Sequence, residues 1–196
     1  MSLTRKILRS IVVLATVAAC MGAGTYAAFS GSTANAGNGF SAGTVAIGDN
    51  DAGASVVSLA AAAPGQTSTG CIAVTYTGSL DAGVRLYAAL SGTLGPYLTL
   101  TVTRGSDPSP TFASCAGFTA DATNYVGLGA GVLYNGLLSA FPTTYAAGIV
   151  DPVTATPETW TTGELHVYRF SVTLVSDNQA QGRTGAAGFT WEARNL

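Results

Sequence analysis

Apolar and hydroxyl-bearing residues alternate without interruption over residues 98–103. The leucines and the valine of this run would share one face of a strand, and the threonines would share the other face. One buried and one solvated face is the pattern of an antiparallel strand. The same period of two residues returns over residues 84–90 and 165–174, so the sequence predicts a protein built from sheets.

Short runs of this kind recur along the chain and are separated by turn residues. Only 9% of the 196 residues are charged and 47% are apolar, so the Glu and Lys residues that support helices are scarce. Eight strands in one domain suggest an antiparallel β-sandwich. The predicted strands are residues 44–47, 56–59, 71–76, 84–90, 98–104, 132–141, 165–175 and 189–193. The predicted turns are Pro64-Gly65, residues 80–83, Gly95-Pro96, Asn135-Gly136 and Asp177-Asn178.

The N-terminal residues have the layout of a secretory signal peptide. Three basic residues precede an apolar run over residues 11–19, and small residues follow it over residues 22–28. We predict a signal peptide over residues 1–27, with cleavage between Ala27 and Ala28. The precursor would contact the membrane only before that cleavage. The three basic residues are Arg5, Lys6 and Arg9.

Two alternatives to this cleavage stay open. The apolar stretch could remain as a membrane anchor, although it is short for a span and carries Gly and Thr near its end. Residues 17–19 followed by Cys20 also fit the pattern that precedes a lipid-modified cysteine, in which case the mature chain would begin at Cys20.

The chain that follows the leader is acidic. From Ala28 onward five arginines stand against all ten carboxylates, a net charge of −5, and no lysine follows Lys6. A surface of this sign does not attract phosphate backbones, so we predict no binding of nucleic acid.

Cys71 and Cys115 are the two cysteines that remain after the leader. An even number of cysteines in an exported chain predicts a disulfide. Two free buried thiols are the alternative.

The residues for metal or nucleophilic catalysis are sparse. His166 is the single histidine of the chain, so neither a zinc hydrolase site nor a Ser-His-Asp triad is supported. We place His166 at the rim of the core as a hydrogen-bonded residue. Asp49 and Asp51 are interpreted as part of a solvated turn, because no later Glu completes a calcium loop. The sequence therefore predicts no enzyme, no metal and no cofactor.

An irregular connection over residues 142–164 contains two aromatic residues that could stack on sugar rings, Tyr145 and Trp160. These two residues support an alternative function, a secreted module that binds polysaccharide or a partner protein.

Residues 22–30 and 38–47 resemble the start of the TasA/camelysin family of secreted proteins. Looser similarity continues at Pro64-Gly65, over residues 77–82 and over residues 189–193. The resemblance implies a jelly-roll-like β-sandwich, export through the general secretory route, trimming by a signal peptidase of the SipW type, and an extracellular location at the cell surface or in the matrix. Members of the family include fibre subunits of biofilm matrix.

The resemblance also implies a way to assemble, in which a freed N-terminal segment adds as a strand to the next copy or to a related subunit. Residues 28–39 are poor in β-formers and are expected to be flexible, so the β-sandwich domain would span residues 40–196. The candidate donor strand is residues 40–47, with Phe40, Thr44, Val45 and Ile47 as its characteristic side chains. Camelysin itself is described as a metalloprotease, an activity that the residues above do not support.

Overall fold

The basic and apolar residues at the N terminus form one α-helix, α1 (Leu3–Ala23). The computed structural model describes residues 3–23, 41–153 and 158–196. It divides into two compact units, Met1–Ser41 and Ala42–Leu196, and α1 is the described part of the first. Among the described residues, no helix combines the length and the hydropathy needed to cross a membrane.

The second unit is built from nine strands with short 3-10 turns between some of them. All strand pairs are antiparallel. The strands are β1 (Ile47–Asp49), β2 (Thr67–Tyr76), β3 (Ala82–Gly92), β4 (Leu98–Ser106), β5 (Thr119–Ala120), β6 (Val132–Leu137), β7 (Ile149–Asp151), β8 (Leu165–Leu174) and β9 (Gly185–Asn195).

These strands form two sheets that enclose one apolar core. The larger sheet has the order β1-β2-β8-β4-β5, with β6 also paired to β4, and the smaller sheet has the order β7-β3-β9. Side chains from both sheets share the core. The predicted all-β sandwich is therefore confirmed, and the jelly-roll connectivity stays a prediction.

The alternation along β4 places its side chains as predicted. Leu98, Leu100 and Val102 are buried, whereas Thr99 and Thr101 are half-exposed on the opposite face. Burying each such aliphatic side chain contributes about 1.5–3 kcal/mol. On the neighbouring strand β8 the inward residues include two aromatic side chains, which are larger than the inward aliphatic side chains of β4. The inward residues of β8 are Tyr168, Phe170, Val172 and Leu174.

Several predicted boundaries are wrong, and the missed elements are short. Residues 56–59 make no ladder with another strand, and of residues 44–47 only Ile47 belongs to β1. The strand predicted over 132–141 ends at Leu137 and continues as one 3-10 turn. Asn135-Gly136 is part of β6 rather than a turn, because these two residues pair with β4. β5 and β7 were not predicted, since two or three residues show no period.

Cys71 and Cys115 form a disulfide, as the cysteine count predicts. The bond lies in a second, smaller apolar cluster, where Cys71 packs with Ala73 and Val167 and where Phe118 covers it. It ties the segment between β4 and β6 to the centre of the larger sheet.

We expect the double variant Cys71→Ser, Cys115→Ser to lower the free energy of unfolding by about 4 kcal/mol, because the bond closes a loop with a sequence separation of 44 residues. Urea unfolding of the oxidised chain and of the variant measures the difference. A reductant should lower the midpoint of the oxidised chain and leave that of the variant unchanged. Equal midpoints for both chains would contradict the prediction.

Candidate functional site

Strand β9 forms the longest sheet edge in the described part of the domain. It pairs with β3 over eleven residues, and no described strand lies on its other side. The other edge strands, β1, β5, β6 and β7, have three, two, six and three residues. Since an unpaired edge presents a row of free backbone N–H and C=O groups, β9 has the largest capacity to add a strand.

The first part of this edge lacks the devices that usually block strand addition. Residues 185–191 contain no charged residue and no proline. Charge appears only further along the strand, where Arg194 and Glu192 form an ion pair of 2.8 Å. The unprotected part of the edge is therefore residues 185–191.

A groove opens beside that unprotected part, and its lining is mixed, with Asp49 and Asp51 beside apolar side chains. Its cavity has a volume of about 420 Å³ and lies between residues 185–189 of β9 and residues 53–59. The inner faces of both sheets contribute to its lining, through Ile72, Val172 and Trp191 among others. A strand added to β9 would thus find space for apolar side chains below it.

Residues 55–62, here called the strap, lie along this groove. Val56, Val57 and Leu59 are half-buried and pack against the core. Between described residues, the strap makes no hydrogen bond to the backbone of another segment. Its one backbone contact to a side chain joins Ser58 N to Ser68 Oγ over 3.4 Å. Apolar packing is therefore the main attachment of the strap.

The predicted donor strand is bound to its own domain over its described part. The carbonyl oxygen of Thr44 accepts from Ser79 N at 2.8 Å, and Ile47 pairs with Tyr76 of β2. Val45 is 37% exposed, so its side chain remains partly in contact with water in this arrangement. Phe40 lies outside the described residues.

A buried arginine forms the main polar cluster of the domain. Arg104, on β4, is 3% exposed and faces three carboxylates. Its Nη2 lies 2.6 Å from Glu158 Oε2, its Nη1 lies 3.4 Å from Asp121 Oδ2, and its Nε lies 3.4 Å from Asp151 Oδ1. Because Asp151 belongs to β7, this contact joins the two sheets. The Arg104 cluster consists of Arg104, Asp121, Tyr125, Asp151, Glu158, Glu164, His166 and Tyr168.

Asp151 is the most strongly perturbed acid of the Arg104 cluster. Burial raises the pKa of Asp151 to about 7, although Arg104 and a hydrogen bond from the Tyr168 hydroxyl oppose the shift. Burial lowers the pKa of Arg104, but Asp151 and Glu158 outweigh it and hold that pKa above its usual value. Burial dominates the pKa of Asp151, which loses all its hydration, whereas several anionic neighbours dominate the pKa of Arg104.

His166 joins the Arg104 cluster to the rim of the core. Its Nε2 lies 2.8 Å from Glu164 Oε1, and its Nδ1 lies 2.9 Å from Arg104 Nη2. The ring packs edge-on against Trp160, with 4.7 Å between centroids. This hydrogen-bonded position agrees with the one predicted for His166.

We tested whether these residues fit a metal ion. Glu158, Glu164 and His166 each offer one ligand atom, and the three atoms lie within 4.8 Å of one another. The guanidinium of Arg104 contacts two of them, at 2.6 Å from Glu158 and 2.9 Å from His166 Nδ1. A positive group already occupies the position where a cation would bind, so these residues do not fit a metal.

The predicted aromatic binding loop is wrong in its principal residue. Trp160 is fully buried, and it exchanges backbone hydrogen bonds with Ala82 of β3. The connection folds back onto the smaller sheet and carries the indole into the core. Tyr145 is half-buried, with the guanidinium of Arg194 at 3.6 Å and that of Arg85 at 5.2 Å from its ring centre.

The remaining predicted positions are structural or lie outside the described residues. Asp49 Oδ1 accepts from Asp51 N at 3.1 Å, and Asp51 Oδ1 accepts from Gly53 N at 2.6 Å, an arrangement that forms a turn. The cleavage-site residues Ala27 and Ala28 lie outside the described part of the chain.

Sequence reasoning missed both the Arg104 cluster and the β9 edge, although each left a signal. Arg104 has the same parity as Leu98 and Leu100, which already indicates an inward-facing charge in need of partners. The run over residues 185–191 contains no charged residue, whereas Glu192 and Arg194 follow directly after it.

A family model matches the N-terminal part of the chain. Residues 2–90 match the family described as camelysin metallo-endopeptidase. The matched part contains α1, β1, the strap and β2, and it ends within β3, before every member of the Arg104 cluster. No curated protein matches the chain. The match confirms the family resemblance.

We expect Asp151→Asn to change how stability depends on pH. With a pKa of about 7 in the folded chain and 3.8 as its ordinary value, Asp151 binds its proton more tightly when folded. Its contribution to stability is complete below pH 3.8 and is lost as the pH rises through 7. The stability of the unmodified chain relative to Asp151→Asn should therefore increase from pH 8 to pH 5, by at most about 1.4 kcal/mol per pH unit.

Urea unfolding of both chains at several pH values tests this expectation. Asp81→Asn is the matched control, because Asp81 is an exposed aspartate in a turn. A stability difference between the unmodified chain and Asp151→Asn that stays constant from pH 8 to pH 5, or that shrinks, would contradict it.

Proposed function

Since residues 2–90 match the camelysin family, we propose that this chain is a secreted structural protein that associates with further copies of itself by strand complementation. The observation that carries the proposal is the edge of β9, which is long, uncharged over residues 185–191 and open to a partly apolar groove. In strand complementation, main-chain hydrogen bonds supply affinity and alternate side chains fill pockets. The edge of β9 offers the main-chain hydrogen-bonding groups, and the groove offers space for the side chains.

The candidate donor is residues 40–47 of a second copy. In an extended strand Val45 and Ile47 lie on the same face, so both could enter the groove while Thr44 faces away. In its own domain β1 pairs with only three residues of β2, and Val45 remains exposed. Moving to the eleven-residue edge of β9 would bury this valine and extend the ladder.

Export is the second part of the proposal. We infer that residues 1–27 act as the signal peptide, that a signal peptidase of the SipW type cuts between Ala27 and Ala28, and that the product reaches the extracellular matrix or cell surface. The cut would separate α1 from the donor segment. Because no lysine follows Lys6, isopeptide crosslinks through lysine are impossible, and the contacts between copies would be noncovalent.

The name of the matched family mentions a metallo-endopeptidase, and we propose a structural role in place of that activity. The support comes from Arg104, whose guanidinium occupies the position between Glu158 and His166 where a metal would bind. Hydrolysis of casein that a chelator abolishes would contradict this choice.

We expect Gly188→Lys to reduce assembly strongly while leaving the fold intact. A side chain at Gly188 would enter open space, and a lysine on an edge strand opposes strand addition. The matched control is Ala89→Lys, since Ala89 is exposed and pairs with Gly188 but lies on the central strand β3. Chains purified from the culture medium can be compared by sedimentation and electron microscopy.

Three results would overturn the proposed function. The unmodified chain could stay monomeric at high concentration, it could fail to reach the medium, or the two lysine variants could assemble equally well.

We expect Val45→Asp to impair assembly through the donor, because a carboxylate at this position would lose its hydration in a groove already lined by Asp49 and Asp51. Val126→Asp is the control, since Val45 and Val126 are 37% and 36% exposed and Val126 belongs to neither the donor nor the groove. Analytical ultracentrifugation over a concentration series gives the association constants. Equal constants for the two variants would remove residues 40–47 as the donor.

A further inference from the structure

The strap forms the wall of the groove opposite β9, beside the space that the proposed donor would enter. Val56, Val57 and Leu59 line the same cavity as residues 185–189 of β9. A strand that paired with β9 would have to insert its inward side chains beside these three residues. The strap and an incoming strand therefore compete for one apolar surface.

The strap has unusually weak ties to the sheets around it. Within the described chain, residues 55–62 form no backbone ladder, and the bond from Ser58 N to Ser68 Oγ is the one hydrogen bond that adds to their packing. Ala61 has a φ of 48°, in the left-handed region that costs a residue with a Cβ about 1–2 kcal/mol. A segment held by packing and carrying backbone strain opens more readily than a paired strand.

The ends of the strap can act as hinges. Gly53 and Gly65 have φ values of 82° and 79°, and neither would meet another atom at its Cβ position. Each end is also fixed to the domain just beyond the strap, through two hydrogen bonds between Asn50 and Ala73 of β2 on one side and through Gly65 N to Leu174 O at 2.7 Å on the other. The strap can thus lift as a loop without unfolding its neighbours.

We propose that the strap is an autoinhibitory latch, which covers the groove beside β9 in the single chain and is displaced when a strand of a second copy adds to that edge. The inference rests on the proposed function, because it names the device that controls the same association. It predicts that the stability of the strap sets the rate of assembly.

Gly70 gives the means to loosen the latch. It lies on β2, and a Cβ at this position would overlap the carbonyl oxygen of Val56. Gly70→Ala should therefore push the strap away from the groove. Gly83→Ala is the matched control, since it adds the same methyl group on β3, outside the strap, the groove and residues 185–191, and its Cβ would approach only the end of the exposed Leu196 side chain at 3.3 Å.

Ala61→Gly should have the opposite effect. Glycine adopts a positive φ without the cost that alanine bears, so this change stabilises the closed strap. We expect Ala61→Gly to slow assembly about fivefold, which corresponds to relief of the left-handed backbone. We expect Gly70→Ala to speed assembly by about tenfold or more, because the added methyl group displaces the strap from the groove.

Light scattering of the purified chains measures the rate of assembly, and hydrogen exchange of residues 55–62 in the single chain measures opening of the strap. The latch is supported when Gly70→Ala raises both quantities, Ala61→Gly lowers both and Gly83→Ala changes neither. If the strap variants alter exchange but all chains assemble at one rate, the latch is wrong and the proposed function stands. If no chain assembles, the proposed function itself is wrong, and the latch with it.

If Gly70→Ala does not fold, which tryptophan fluorescence would reveal, the test of the latch rests on Ala61→Gly alone. A rate equal to that of the unmodified chain, with slower exchange of the strap, would then overturn the latch.

Discussion

A guanidinium between two sheets must be neutralised, and this requirement organises one end of the domain. Arg104 points inward from β4, so carboxylates have to reach it from other segments. Asp151 does so from β7, and this draws the connection over residues 142–164 onto the smaller sheet, where Trp160 pairs with Ala82. The buried indole, the ladder of β7 and the bridge between the sheets all follow from one inward-facing charge.

The other end of β4 has no comparable contact. Leu98 lines the groove, about 20 Å along the strand from Arg104 at about 3.3 Å per residue. There the sheets are separated by apolar side chains and closed by the strap, which forms no ladder. Stability is thus distributed unevenly along the sandwich, with charge pairing at one end and displaceable packing at the other. Functional motion is expected at the less stable end.

The sequence was sufficient for the parts of the fold that depend on local periodicity. The alternation in β4 and β8 predicts their inward faces, and the cysteine count predicts the disulfide. It failed where tertiary contacts override pattern. Residues 56–59 include two valines and a leucine, which favour a strand, yet they pack without a partner strand, and Trp160 is buried where its backbone pairs with Ala82. The length of the β9 edge depends on which strands are neighbours, and this is not a local property.

Charge explains why association would be confined to this edge. From Ala28 onward the chain carries five arginines against ten carboxylates, so two copies repel each other at long range. Neither residues 185–191 nor residues 40–47 contain a charged side chain, so the two strands themselves pair without an ion between them, while Asp49 and Asp51 line the groove below. The repulsion therefore acts on the approach of two copies and is screened by salt beyond about 8–10 Å, while the edge and the groove determine the strength of the contact once it forms.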